Sequence, residues 1–254
     1  MFCVLKHLVL CGLLEGFVLG VLASKQDIGQ PDCSYDYLDR CGQDLFLWHT
    51  DADNVRAPIT ATELEEHCER QDAAETCVRA RAENCTAGLV KGTIRFFLDA
   101  IRDEFETRCD PTTAQHDAYL RIAPCLNKLS DKLRNCSIDF ILSTDRAAND
   151  SIGKPLREKI PPVCCNFAFY TECMCTAVRT CGEDAETFMR SILTTIAGDF
   201  VNGACGSYEP NSEVCKLHKR QNKNIATSLE NSSYKDIHTF VSALDKLAIS
   251  LSSR

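Results

Sequence analysis

Apolar residues recur along this chain at steps of three and four, and no alternating apolar–polar run appears. Leu38, Cys41, Leu45 and Trp48 share one face, so the spacing predicts a helix over 33–48. After a polar turn at 51–58, Thr60-Ala61-Thr62-Glu63 has the spacing of a capping box: a hydroxyl for orphan amides and a carboxylate reaching back. The helix it opens runs to Cys85, with Asp72 as the point where it could break. A third helix carries Val90, Ile94, Phe97, Ile101 and Phe105 and ends before Asp110-Pro111. Residues 113–122 are helical up to Pro124; Cys125, Leu129, Leu133, Cys136 and Phe140 then line one face. The stretch 149–162, with Gly153 and three prolines, reads as a loop. Helices follow over 163–181 and 182–201, the second with Phe188, Ile192 and Ile196 inward. Beyond a polar, basic segment at 216–223, residues 233–251 form an amphipathic helix with Ile237, Phe240, Val241, Leu244, Ala248 and Leu251 at helical spacing. The pattern gives an all-α fold.

A second order lies over the helical one. Cys68, Cys77, Cys85 and Cys109 return 96 positions later as Cys164, Cys173, Cys181 and Cys205, with steps of 9, 8 and 24 preserved. Cys33 and Cys41 stand before the first set, Cys125 and Cys136 before the second. This is the mark of a tandem duplication of a six-cysteine unit. It divides the chain into unit 1 at 24–110, unit 2 at 111–215, and a basic linker with a C-terminal helix at 216–254. Cys125 and Cys136 share a stripe with leucines, so their sulfurs face another helix, and an antiparallel partner with two cysteines similarly spaced can be bridged twice. The simplest scheme is Cys33–Cys85, Cys41–Cys77 and Cys68–Cys109, echoed as Cys125–Cys181, Cys136–Cys173 and Cys164–Cys205. Six cysteines allow many other pairings. One spacing is imperfect: 11 residues from Cys125 to Cys136 face 8 from Cys173 to Cys181, which leaves about 4.5 Å to absorb along the axis.

Composition turns this scheme into a statement about compartment. Seventeen cysteines exceed what a reducing environment keeps as inert thiols, so the chain reads as oxidised and secreted. Lys6 and His7 precede an apolar run at 8–22, and Val21-Leu22-Ala23 offers small residues for cleavage after Ala23, so 1–23 reads as a signal peptide. Glu15 inside the run disfavours the alternative, an uncleaved anchor. Removal of 1–23 takes away Cys3 and Cys11, and 17 − 2 leaves 15, an odd number. Twelve belong to the repeats, with Cys165, Cys175 and Cys215 as additions. Cys165 with Cys215 closes a loop, which leaves Cys175 as the candidate free thiol and a disulfide-linked dimer as one use for it. The net charge of −8 argues against nucleic acid. No later segment reads as a membrane span.

Four N-x-S/T sequons begin at Asn84, Asn135, Asn149 and Asn231. Asn149 and Asn231 fall in polar stretches read as loops and are the favoured glycosylation sites. Asn84 and Asn135 each precede a cysteine expected in a bridge, so oxidation competes with glycan transfer there. The one basic cluster, Lys216, His218, Lys219, Arg220 and Lys223, reads as a solvated linker, with anionic contact or cleavage after Arg220 as the alternatives. No CxxC, HExxH, EF-hand loop or GxSxG occurs, so no metal, cofactor or catalytic residue is assigned.

The run Cys164-Cys165…Cys173…Cys181-Gly182-Glu183-Asp184-Ala185…Cys205…Cys215 resembles the secreted haemolymph glycoproteins of arthropods and, more distantly, the nematode cysteine-rich secreted domains. The resemblance implies an extracellular, glycosylated, helical and non-enzymatic protein, and it carries no functional residues with it. The expected function is binding or interaction in extracellular fluid without catalysis, with an extracellular protein as the partner. The alternative is a carrier of a small apolar ligand held between the two helical units.

Overall fold

The computed structural model describes residues 32–46, 56–220 and 239–253, and every regular element among them is helical. In chain order these are α1 (Tyr35–Gly42), α2 (Ala61–Cys85), α3 (Gly88–Cys109), α4 (Ala114–Lys128), α5 (Ser130–Asp150), α6 (Leu156–Val178), a short 3₁₀ turn (Arg179–Cys181) and α7 (Glu183–Cys205). A helix at 213–220, α8, and α9 (Phe240–Ser252) complete the set.

Local chemistry explains three of the starts. Ser34, Thr60 and Thr113 each accept a hydrogen bond from the amide three residues on, which satisfies donors a helix start leaves orphaned. At α2 the box is complete: the Glu63 amide donates to Thr60 Oγ1 at 3.2 Å, and Glu63 Oε2 accepts from the Ile59 amide at 2.7 Å.

Several boundaries differ from the sequence reading. The first helix ends at Gly42 instead of continuing through Leu45, because the Leu45 amide turns back to the Gly42 carbonyl at 3.1 Å. Trp48 lies outside the described residues. α2 passes Asp72 unbroken, since Asp72 is exposed while its neighbours Gln71 and Glu75 are buried and bonded. α4 runs through Pro124 to Lys128, and the chain breaks at Leu129 instead (φ −109°, ψ 6°). That break separates Cys125 from Cys136 and takes up the spacing mismatch between this pair and its partners. Of the stretch 149–162 only 151–155 is a loop. α5 continues to Asp150, and α6 starts at Leu156 with Pro161 and Pro162 inside it. The amides these prolines lack would have served the carbonyls of Arg157 and Glu158, both on exposed residues, so the loss falls where solvent can compensate. The helix read as 163–181 closes in the 3₁₀ turn. The one read as 182–201 extends to Cys205 across a kink at Gly198 (φ 65°, ψ 172°). Part of the expected polar linker, 216–220, belongs to α8. Of the expected helix 233–251, residues 233–238 lie outside the described residues.

Seven disulfides hold these helices. Cys33–Cys85, Cys41–Cys77 and Cys68–Cys109 link α2 to α1 and the residue before its cap, and to α3. Cys125–Cys181, Cys136–Cys173 and Cys164–Cys205 do the same around α6. Each set joins its first cysteine to its fifth, second to fourth and third to sixth, over separations of 52, 36 and 41 residues in one and 56, 37 and 41 in the other. These pairs are those of the simplest spacing scheme. Loops of this length contribute about 4 kcal/mol each in the chain-entropy account. Cys165–Cys215 ties α8 to α6, and Cys175 is the free, buried cysteine.

Two apolar clusters lie within one compact unit that begins at Asp32. One gathers Tyr119, Leu126, Leu133, Val178, Met189 and Ile192, with Leu64 reaching in from α2. The other gathers Leu38, Val78, Ile94, Leu98 and Ile101, and Val241 and Ala248 of α9 complete it. Helix α9 thus finishes the core of the first six-cysteine segment while packing along α5 of the second. The Phe140 and Phe240 rings lie 5.2 Å apart and Lys246 pairs with Asp145, so α5 and α9 run parallel.

Gly198 is required twice over. Its φ is in the left-handed region, and a Cβ there would sit 2.9 Å from the Phe96 ring. Gly198→Ala should lower stability by about 1–3 kcal/mol in urea unfolding with the bridges intact. Gly203→Ala, where a Cβ meets open space, should not.

Candidate functional site

Helix α9 is the one core helix among the described elements that holds no cysteine, and its seat is built from polar contacts drawn from four other helices. At its start, Asp39 of α1 accepts from both the Thr239 amide, at 2.8 Å, and the Thr239 hydroxyl. In its middle, Asp245 pairs with Arg81 of α2 at 2.9 Å. The same guanidinium donates through Nη2 to the Cys33 carbonyl at 2.8 Å, so one side chain joins the segment just before α1 to α2 and α9. Next to it Lys246 pairs with Asp145 of α5. At its end, Lys159 of α6 is 1% exposed and donates to the carbonyls of Ser250 and Ser253. A cation at a helix C-terminus meets the negative end of the macrodipole, and here it also serves carbonyls that the helix leaves open.

Arg81 and Asp245 are 6% and 3% exposed, and the Tyr35 hydroxyl also bonds the Asp245 carboxylate. Burial is the largest influence on the Asp245 carboxyl and lifts its pKa above the ordinary value, against the pull of Arg81. Linkage fixes the sign. The folded chain holds this proton more tightly than the unfolded chain, so the group's contribution is fullest in acid and declines as pH rises through the raised pKa. Asp245 is therefore no acid-release trigger for α9. Burial likewise raises the Tyr35 phenol, whose ring takes the cations of Arg81 at 5.8 Å and Lys246 at 5.3 Å.

Beside this pair lies a cavity of about 30 Å³, walled by Leu38, Val78, Ile94, Leu98 and Leu244, with Arg81 and Asp245 at its edge. It has room for about two water molecules, less than an acyl chain needs. It also lies inside the first segment's core, under α9, and not between the two six-cysteine segments.

Other buried charges fasten helices to one another. Glu75, fully buried, receives Arg79 and Arg102 and so ties α2 to α3. Arg108 binds Glu104 at 3.0 Å and Gln71 at 2.7 Å, and stacks over Tyr119 at 5.4 Å. Near Cys181, Arg179 donates to both oxygens of Glu186, at 2.8 and 3.0 Å. These bonds, with Arg190 beside them, hold the Glu186 carboxyl at about 2.

The residues singled out in the sequence are placed as follows. Cys33, Cys41, Cys68, Cys77, Cys85, Cys109, Cys125, Cys136, Cys164, Cys165, Cys173, Cys181, Cys205 and Cys215 are all bridged. Cys175 is buried, and burial raises its thiol pKa, so it presents no thiolate to solvent. Asn84 and Asn135 are exposed on α2 and α5, next to bridged cysteines. Asn149 sits in the last turn of α5 and not in a loop; it is exposed, and its Nδ2 donates to Asp145 Oδ2 at 3.2 Å. Asn231 and Lys223 lie outside the described residues. On α8, Lys216 pairs with Glu213 at 3.0 Å, and Lys219 lies over the Phe169 ring at 5.2 Å. His218 Nε2 is 2.9 Å from Asn166 Oδ1, and burial lowers its pKa. This basic cluster is therefore partly docked on α6 and not wholly solvated. Among the described residues no group of three or more His, Cys, Asp or Glu is placed to hold a metal ion, and no helix is long and apolar enough to cross a membrane.

Asp245→Ala, which leaves Arg81 buried and uncompensated, should cost about 3–5 kcal/mol in equilibrium unfolding at neutral pH. The double variant Arg81→Met with Asp245→Leu should recover most of that loss. In a carboxyl NMR titration, Glu186 should stay ionised down to about pH 2, and Arg179→Met should move its midpoint up towards an ordinary glutamate. Comparisons with protein-family models, with curated proteins and with solved structures find no match to this chain.

Proposed function

We propose that this protein works outside the cell, as an N-glycosylated helical protein that binds other molecules by its surface and catalyses nothing. The observation that carries the reading is the use of the fifteen cysteines among the described residues: fourteen are closed into seven bridges that cross-link helices, and Cys175 is sealed in the core. Such bridging persists in oxidising compartments, and bridged cysteines are withdrawn from nucleophilic and metal chemistry. The buried charges point the same way. Glu75 with Arg102, Arg108 with Gln71, Glu104 with Gln115 and Arg81 with Asp245 each join two helices in fastening the fold. The resemblance of the Cys164–Cys205 region to arthropod haemolymph glycoproteins fits this reading. Carriage of an apolar ligand has less support, because the cavity of about 30 Å³ holds no such molecule without rearrangement of α9.

The test is thiol labelling of protein secreted from eukaryotic cells, without reduction. Native protein should take up no alkylating reagent, and unfolded protein should take up one equivalent, at Cys175. Retention in the cell, or several reactive thiols in the native state, would refute the reading. Native mass spectrometry should show a mass accounted for by chain and glycan alone; a co-purifying lipid would establish the carrier instead.

A further inference from the structure

The turn between α5 and α6 exposes aliphatic side chains around a sequon. Asn149 lies in the last turn of α5, and the Ile152 amide donates to its carbonyl at 3.3 Å, so Ile152 sits one turn beyond it. Gly153 then turns the chain through a left-handed conformation (φ 73°), and α6 begins at Leu156. Ile152 is 69% exposed and Leu156 58%. Helix α9 brings a third residue to the same place. Asp145 accepts from Asn149 through Oδ2 and from Lys246 through Oδ1. Asn149 is one turn past Asp145 on α5, and Ile249, 45% exposed, is nearly one turn past Lys246 on the parallel α9. Exposed aliphatics scattered singly need no explanation; three converging on one residue do.

We infer that an N-linked glycan on Asn149 covers this apolar patch, with its first sugars lying over Ile152, Leu156 and Ile249. The inference rests on the extracellular reading above, since glycan transfer requires passage through the secretory route. The chemistry is ordinary for the sequon Asn149-Asp150-Ser151. A lipid-diphosphate-linked oligosaccharide gives up its C1–O bond, C1 bonds to Asn149 Nδ2, one amide proton leaves, and the lipid diphosphate departs. The glycosylated nitrogen keeps one hydrogen, enough to go on donating to Asp145. The exposed amide at the edge of the patch leaves the sugars free to fold back over it. An anionic membrane is the rival occupant, since Lys154 and Arg157 flank the patch and are exposed. Asp150 and Glu158, also exposed there, offset those charges and favour the neutral sugar cover.

The experiment uses the full chain secreted from eukaryotic cells, with glycopeptide mapping at Asn149, then enzymatic deglycosylation of the folded protein. Removal of the glycan, or Asn149→Gln, should raise binding of an environment-sensitive hydrophobic dye several-fold and lengthen retention in hydrophobic-interaction chromatography. In an Ile152→Ser, Leu156→Ser, Ile249→Ser background the same removal should change neither. A bare Asn149 in secreted, fully bridged protein would overturn this inference while leaving the extracellular reading intact; failure of secretion would refute that reading instead. Unchanged dye binding after deglycosylation would overturn it too. So would binding of the still-glycosylated protein to phosphatidylserine vesicles that the triple serine variant loses, since the patch would then be a membrane surface.

Discussion

Cross-linking of helix faces at matched intervals is the constraint from which the rest of this architecture follows. In each six-cysteine segment the long central helix, α2 or α6, carries two of the six and ends at or just before a third; two of these three bond back to the preceding part of the chain and one bonds forward to the next helix. In the first segment the two backward bridges reach α1 and the residue before its cap, which fixes both the height and the rotation of α1; in the second they reach α4 and α5 on either side of the break at Leu129. A single bridge forward leaves the third helix to find its angle by packing, and there the two segments differ: α3 is continuous, while α7 kinks at Gly198 to clear Phe96. Because register is covalent, the interior can carry charges that an unstapled bundle of this size would tolerate poorly. Glu75 and Arg108 are buried between helices whose relative positions bridges already secure.

Helix α9 is held by the opposite means. It contributes Val241 and Ala248 to a core otherwise built from the first segment, and its polar contacts reach α1, α2, α5 and α6. A buried ion pair such as Arg81–Asp245 returns little net stability, since desolvation offsets most of the attraction, but a misplaced helix would leave both charges stranded. The pair thus acts on register more than on strength. Lys159 does the same at the far end, because only one axial position of α9 offers it the carbonyls of Ser250 and Ser253.

What could be read from the sequence was whatever local geometry governs. The Thr60–Glu63 box and the spacing of Cys33, Cys41, Cys77 and Cys85 are set within a few helical turns, and both stand in the structure as the spacing implied. The stretch from 149 to 162 misled because a proline's effect depends on where its orphaned carbonyl points, and here that is outward. Arg81 and Asp245 are 164 residues apart, and no local pattern joins them. The available sign was Asp245 itself, a carboxylate set between Leu244 and Leu247 on a helix otherwise read as apolar on that side. Lys159 gave less, since its burial depends on the C-terminal turn of a helix ninety-one residues away.

The position of α9 in the chain has a consequence for how the molecule is made. The first segment is synthesised first, and its three bridges can close while the ribosome is still reading the second. Its interior nevertheless stays open until residues 240–252 have emerged, because Val241 and Ala248 belong to that interior and nothing earlier in the chain replaces them. The first segment is thus completed by a helix made after the whole of the second, so a chain stopped before residue 240 would carry every one of these bridges and still lack a closed core.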